Sequence, residues 1–138
     1  MALDVGSKRI GVAVADPSAS FGLPVATIER RNRREDLAAI KEYLESYDVK
    51  ELVVGDPITL QGERGIAARA MDEFVESLRG VFTGVIHRVD ERLTTAQATK
   101  SLIAADVSRG KRRQIVDRMA AALILESFLL RRRRKSGE

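Results

Sequence analysis

The chain contains no cysteine and no tryptophan, one histidine, and only 4% aromatic residues. Without cysteine there are no disulfides and no thiolate metal centres, which fits a reducing compartment. Without tryptophan and with few other rings, any core must rest on Leu, Ile, Val and Ala. Long apolar runs are also missing. The longest, Met119 to Leu130, is broken by Glu126 and falls short of a bilayer span. No basic segment followed by an apolar stretch opens the chain, so a secretory signal is not expected. These absences point to a soluble cytoplasmic protein with no membrane partner.

The 138 residues suit one domain over 1–138, and 44% hydrophobic with 32% charged residues allows both a core and a solvated surface. The net charge of +4 is only mildly basic, but its distribution is uneven. Cations cluster at Arg30, Arg31, Arg33 and Arg34, at Arg109, Lys111, Arg112 and Arg113, and from Arg131 to Lys135. Such clusters form the usual footprint for phosphate backbones. The last one also sits where a helix C-terminus favours cations through its dipole, so it says least about a ligand.

Hydrophobic periodicity orders the elements. Ala2–Val5 reads as a strand, Gly6–Arg9 as a turn and Ile10–Ala15 as a hairpin partner whose small residues Gly11, Ala13 and Ala15 share one face. Gly22-Leu23-Pro24 punctuates the chain before a third strand near Val25 to Glu29. A helix is predicted from about Arg34 to Tyr47, with Leu37, Ile40, Tyr43 and Leu44 on its stripe, then a buried strand over Glu51–Gly55. Helices follow at Ile66–Leu78, from Thr94 or Thr95 to about Ala105, and from about Arg113 to Leu130, with a strand at Val85–Val89. An antiparallel three-strand meander feeding parallel βαβ units defines an α/β protein: a mixed five-stranded sheet flanked by helices.

Three acids do not fit a solvated surface. Asp4 stands inside an apolar strand, where a carboxylate is costly without a partner or metal, unless it bonds the amides of the Gly6 turn. Asp117 shares its helical face with Ala120, Ala121 and Ile124, small residues that let the helix approach the sheet; an acid favoured by the helix N-terminus is the alternative. Glu91 follows a strand and precedes a helix, where α/β proteins place ligands, and Asp90 is equally well placed by spacing. Converging carboxylates with one histidine and no cysteine point to Mg²⁺ or Mn²⁺, which take oxygen ligands and bridge to phosphates. The single His87, in mid-strand, reads as a packed or surface residue rather than a base.

Three stretches resemble the signatures of the YqgF (RuvX) family: Ala2-Leu3-Asp4-Val5-Gly6-Ser7-Lys8-Arg9-Ile10-Gly11-Val12-Ala13-Val14-Ala15-Asp16, Asp90-Glu91-Arg92-Leu93-Thr94-Thr95, and Val116-Asp117-Arg118-Met119-Ala120-Ala121 with Ile124-Leu125-Glu126-Ser127. Their order and spacing agree over essentially the whole chain. The resemblance implies an RNase H-like fold related to Holliday-junction resolvases and a metal-dependent nuclease maturing the 5′ end of pre-16S rRNA. It places the catalytic and metal-holding acids on Asp4, Glu91 and Asp117, choosing Glu91 over Asp90 by analogy. Lys8, Arg9 and Arg92 lie within the matched motifs and are expected to hold phosphate or shape the acidic site. Two departures stand out. Relatives usually carry several residues ahead of Ala2, so either the first strand is short and presents Asp4 less firmly, or the true start lies upstream. Where relatives often read Gly-Leu-Pro this chain has Gly55-Asp56-Pro57, and Asp56 reads as a strand-ending acid in preference to an extra metal ligand.

Other readings compete. A resolvase cutting branched DNA needs a two-fold dimer, and no dimerisation stripe is evident, so a monomer or weak homodimer is expected. An actin-like ATPase would need paired domains that 138 residues do not supply. A non-catalytic RNA-binding assembly factor would keep the acids for stability alone. No aromatic RNA-binding signature separates RNA from DNA.

Overall fold

Strand β1 (Ala2–Val5) lies at the centre of a five-stranded sheet, with β2 (Arg9–Ala15) and β3 (Gly22–Glu29) on one side and β4 (Glu51–Asp56) and β5 (Val85–Asp90) on the other, in the order β3-β2-β1-β4-β5. The pairs β1–β2 and β2–β3 are antiparallel, while β1–β4 and β4–β5 are parallel. The computed structural model describes residues 1–56, 65–90 and 109–135, with backbone alone for Ala67 and residues 109–116. The helix expected after Thr94 or Thr95 lies outside the described residues, as do Glu91 and Arg92.

Helix α1 (Arg33–Ser46) starts at Asn32, whose Oδ1 accepts the Glu35 N–H at 2.9 Å. It ends with Asp48 at φ 48°, where the Asp48 and Val49 amides donate to the Glu45 and Leu44 carbonyls, closing a Schellman turn. Ile40 and Leu44 are buried from the expected stripe. Helix α2 (Ile66–Leu78) buries Met71, Phe74, Val75 and Leu78, the i, i+3, i+4, i+7 spacing of an amphipathic helix. Both helices cover the sheet face that carries Leu3, Ile10, Val12, Leu52 and Val54.

Helix α3 (Arg109–Lys135) covers the other face, on Ala2, Ala13, Val53 and Val89, through Ala120, Ala121, Ile124 and Leu125. Small residues meet small residues here, so the helix lies close. A Cβ on Gly11 would sit 1.9 Å from the Asp117 carbonyl oxygen, and one on Gly22 would sit 2.4 Å from that of Ala122. Both glycines are there to admit the backbone of α3. No helix among the described residues is long and apolar enough to cross a membrane.

Two boundaries differ from the sequence reading. Strand β3 begins at Gly22, not Val25, because it is an edge strand and tolerates Pro24; its register with β2 shifts at Val12/Ala13. Helix α3 extends beyond the expected Arg113–Leu130 at both ends, carrying Arg131 to Lys135 as its last turn. There Arg132 donates to both Glu51 carboxylate oxygens at 2.7 and 2.8 Å and lies over the Phe128 ring at 4.6 Å.

His87 is packed as expected, 3.0 Å from Glu51 and against Phe128. The Arg132 guanidinium first, and His87 second, hold the Glu51 carboxyl down at about 2, from an ordinary 4.5. A depressed carboxylate contributes its stability above about pH 4.5, and that stability is lost as pH falls towards 2. The Glu51 side chain is 42% exposed, so solvent screening keeps this contribution under about 1 kcal/mol. Glu51→Gln should lower the melting temperature slightly near neutrality and leave it unchanged near pH 2, which flattens the acid limb; an unchanged acid limb would remove the assigned role.

Candidate nucleic-acid-cleaving site

The site gathers at one edge of the sheet, where β1, β4 and β5 end, β2 begins and β3 runs out. In open α/β sheets this C-terminal edge of the parallel strands is where ligands bind. Asp4 is only 4% exposed, though it carries a carboxyl group and sits in the central strand. Leu3 faces α1 and α2, so strand alternation turns Asp4 to the face of α3. Its partner across the ladder is Gly11, the residue whose missing side chain makes way for the Asp117 backbone.

Asp117 therefore reaches the same face and edge as Asp4, carried by a helix that only small residues allow so near. Arg9, two residues from Gly11 on that face, donates from Nε to Asp117 Oδ2 at 2.9 Å. Both side chains of this pair are less than one-fifth exposed. The pair fixes the carboxylate and offsets part of the negative charge that two neighbouring acids impose. Lys8 is exposed on the β1–β2 turn beside the pair and forms no ion pair among the described residues.

The remaining acids divide by face. Val53 and Val89 pack under α3, so Asp56 and Asp90, each one place out of phase with them, belong to the face of α1 and α2. Arg88 confirms this for Asp56: it bonds Asp56 at 3.0 Å and Asp72 of α2 at 2.5 Å. Asp56 is thus the ion-paired strand-ending acid that the sequence favoured. Glu91, Asp90's competitor for the site, lies outside the described residues.

One contributor was not singled out from sequence. Asp36, 2% exposed in the first turn of α1, accepts the Arg30 Nε–H at 3.1 Å and the Arg31 backbone N–H at 3.0 Å. Arg30 in turn donates from Nη1 to the Gly6 carbonyl at 2.8 Å, clamping the turn that follows Asp4. An acid placed just after a run of arginines was the available signal, but a charged first turn is too common to mark one. The three basic clusters also separate in space. The Arg30–Arg34 cluster and the start of α3 share the edge of Asp4, whereas Arg132 bonds Glu51 at the start of β4. Asp117 and Arg132 lie about 22 Å apart along the helix at roughly 1.5 Å per residue, so the C-terminal cations stand at the opposite edge.

Among the described residues no three acids or histidines stand close enough to hold a metal ion, and two of the three expected ligands, Asp4 and Asp117, are described. The donors fit a hard divalent cation: both are carboxylates, one of them buried beside a glycine cradle.

A mixed sheet with an antiparallel meander, βαβ extensions and a helix pressed on the central strands defines an RNase H-like α/β protein. The RuvX family model, described as Holliday junction resolvase, matches residues 1–131, and the chain belongs to that family. It is 46% identical to a protein of Moorella thermoacetica over 94% of this chain and 92% of that one, and 42% identical to one of Desulforudis audaxviator over 99% and 96%. Both relatives carry the name "Putative pre-16S rRNA nuclease".

Proposed function

We propose that this chain is a metal-dependent endonuclease that hydrolyses phosphodiesters in the 5′-end maturation of pre-16S rRNA, in the cytoplasm. The observation that carries the reading is the buried Asp4 opposite Gly11, with α3 laid against that glycine so that Asp117 joins it. A fold can be stable without such an arrangement; a carboxylate placed at 4% exposure in a central strand costs free energy that a site can justify.

In this reading Asp4, Glu91 and Asp117 hold Mg²⁺ or Mn²⁺. Bound there, the ions supply an activated water and stabilise the leaving oxygen of the phosphodiester. The chain's own residues do the rest. Arg9 keeps the Asp117 carboxylate aimed and limits repulsion between the acids. Lys8, exposed on the adjoining turn, and Arg92 hold phosphates of the bound strand. The rigid sheet fixes Asp4 while the Gly11 contact fixes the depth of Asp117.

The family's description favours a second substrate, branched DNA. A side-by-side assay separates them: a 5′-extended 16S rRNA precursor fragment and a four-way DNA junction, each with Mg²⁺ or Mn²⁺. Cleavage of the precursor at a defined 5′ position, with the junction left whole, is the expected result. Cutting of the junction alone would move the assignment to a resolvase.

A further inference from the structure

Beside the acidic site, on the other face of the sheet, a cavity of about 230 Å³ opens between the β1–β2 turn, the start of α1 and α2. We infer that it is a subsite for one unpaired nucleotide of the strand being cut. The inference rests on the nuclease reading and names which form of nucleic acid that site takes.

Position comes first. Val5 and Gly6 line the cavity and follow Asp4 directly along β1, so its mouth is one or two residues from the acid, within about 7 Å at roughly 3.3 Å per residue. A strand seated on Asp4 reaches the cavity with its next nucleotide.

Charge comes second. Two arginines wall the cavity, Arg30 and Arg33, and the buried Phe74 backs both guanidinium groups at 5.2 and 6.0 Å. Their situations differ. Arg30 is tied to the Asp36 carboxylate and the Gly6 carbonyl, so its charge is answered within the fold. Arg33 donates only to the neutral Ser77 hydroxyl at 3.3 Å, and no carboxylate of the described residues pairs with it. Lys8, Arg31 and Arg34, which adjoin the lining residues Ser7, Arg30 and Arg33 along the chain, likewise form no ion pair among the described residues, whereas Arg132 at the opposite edge is paired with Glu51. Among the described residues these cations at the edge of Asp4 are uncompensated, and an anion is what they fit.

Shape comes third. The floor is apolar, built from Val5, Ala70 and Met71. An apolar floor beside an arginine plane is how proteins seat an unstacked base, with the guanidinium free to meet the adjoining phosphate. The volume is below the roughly 300–1,000 Å³ of drug-sized sites, enough for one base and not for a base pair.

The test is binding of an unpaired RNA oligonucleotide and a blunt RNA duplex, followed by fluorescence anisotropy in EDTA so that cleavage plays no part. Arg33→Ala should weaken single-strand binding about tenfold or more, as loss of a base-stacking partner does. It should leave duplex binding within about twofold, since a single phosphate contact is a small share of that electrostatic term. Arg33→Lys, which keeps the charge but not the plane, should restore the salt dependence without the affinity. Arg134→Ala, the same charge change on the last turn of α3, should do little to either ligand. Unchanged melting temperatures would show that the fold is not the cause. Equal losses for single strand and duplex, or for Arg33→Ala and Arg134→Ala, would overturn the subsite and leave the nuclease reading standing. A wild type that binds the single strand no better than the duplex would also overturn the subsite, whereas the nuclease reading stands or falls on cleavage with metal present.

Discussion

Replacing Gly11 by alanine should both destabilise the protein and abolish cleavage, although glycine-to-alanine changes in strands usually stabilise by about 0.5–1 kcal/mol. The sign is reversed by contact. The new Cβ would lie 1.9 Å from the Asp117 carbonyl oxygen and 2.4 Å from its carbon, where ordinary contacts begin at 3.4 Å. Backbone on both sides cannot rotate aside as a side chain would, so α3 must lift off the sheet. Overpacking of this kind costs up to about 3 kcal/mol, a large part of the roughly 5–15 kcal/mol that holds a domain together. Lifting α3 also withdraws Asp117 from Asp4, and a displacement of about 1 Å in a catalytic constellation costs on the order of a hundredfold in rate. Gly65→Ala is the matching control. None of the described residues lies within 4 Å of a Cβ there, and the change at this helix cap should cost about 1 kcal/mol or less. Chemical denaturation of the two variants checks both statements; equal stabilities would mean the close approach of α3 is not what Gly11 provides.

Asp4→Asn should separate catalysis from stability in the opposite way. The amide keeps the shape of the carboxylate and removes a charge from a position that is 4% exposed. Stability should hold, because the amide fills the same buried space and can keep a hydrogen bond that the carboxyl makes. Cleavage should fall by about three orders of magnitude, or some 4 kcal/mol at roughly 1.36 kcal/mol per decade. A merely structural acid would behave in reverse, with stability lost and activity following it. The catalytic role of Asp4 thus predicts a variant that melts no lower than the wild type and cuts about a thousandfold more slowly.

Much of this arrangement was legible in the residues. The sheet's composition and the bounds of β1 and α2 follow from periodicity and punctuation, because alternation and the 3.6-residue stripe both report one buried face. The close approach of α3 was also visible, since Gly11 and Ala13 on a strand and Ala120 and Ala121 on a helix are complementary in size. Four features were not. Pro24 suggested an end to β3 rather than an edge position, since sequence does not say which strand lacks a neighbour. The length of α3 was underread because Arg109 to Arg112 and Arg131 to Lys135 carry no apolar stripe. The separation of Asp56 and Asp90 from Asp4 depends on parallel register, which distant strands acquire only when the sheet forms. Assembly of the antiparallel meander likewise hid the Arg30 clamp, which joins β3's end to the β1–β2 turn across 24 residues.

Metal binding is the claim on which the rest depends, and a Mn²⁺ titration followed by calorimetry, wild type against Asp4→Asn, tests it most directly. The account predicts saturable binding by the wild type and its loss in the folded variant. Equal binding by both proteins, or none by either while the precursor is still cut, would contradict it.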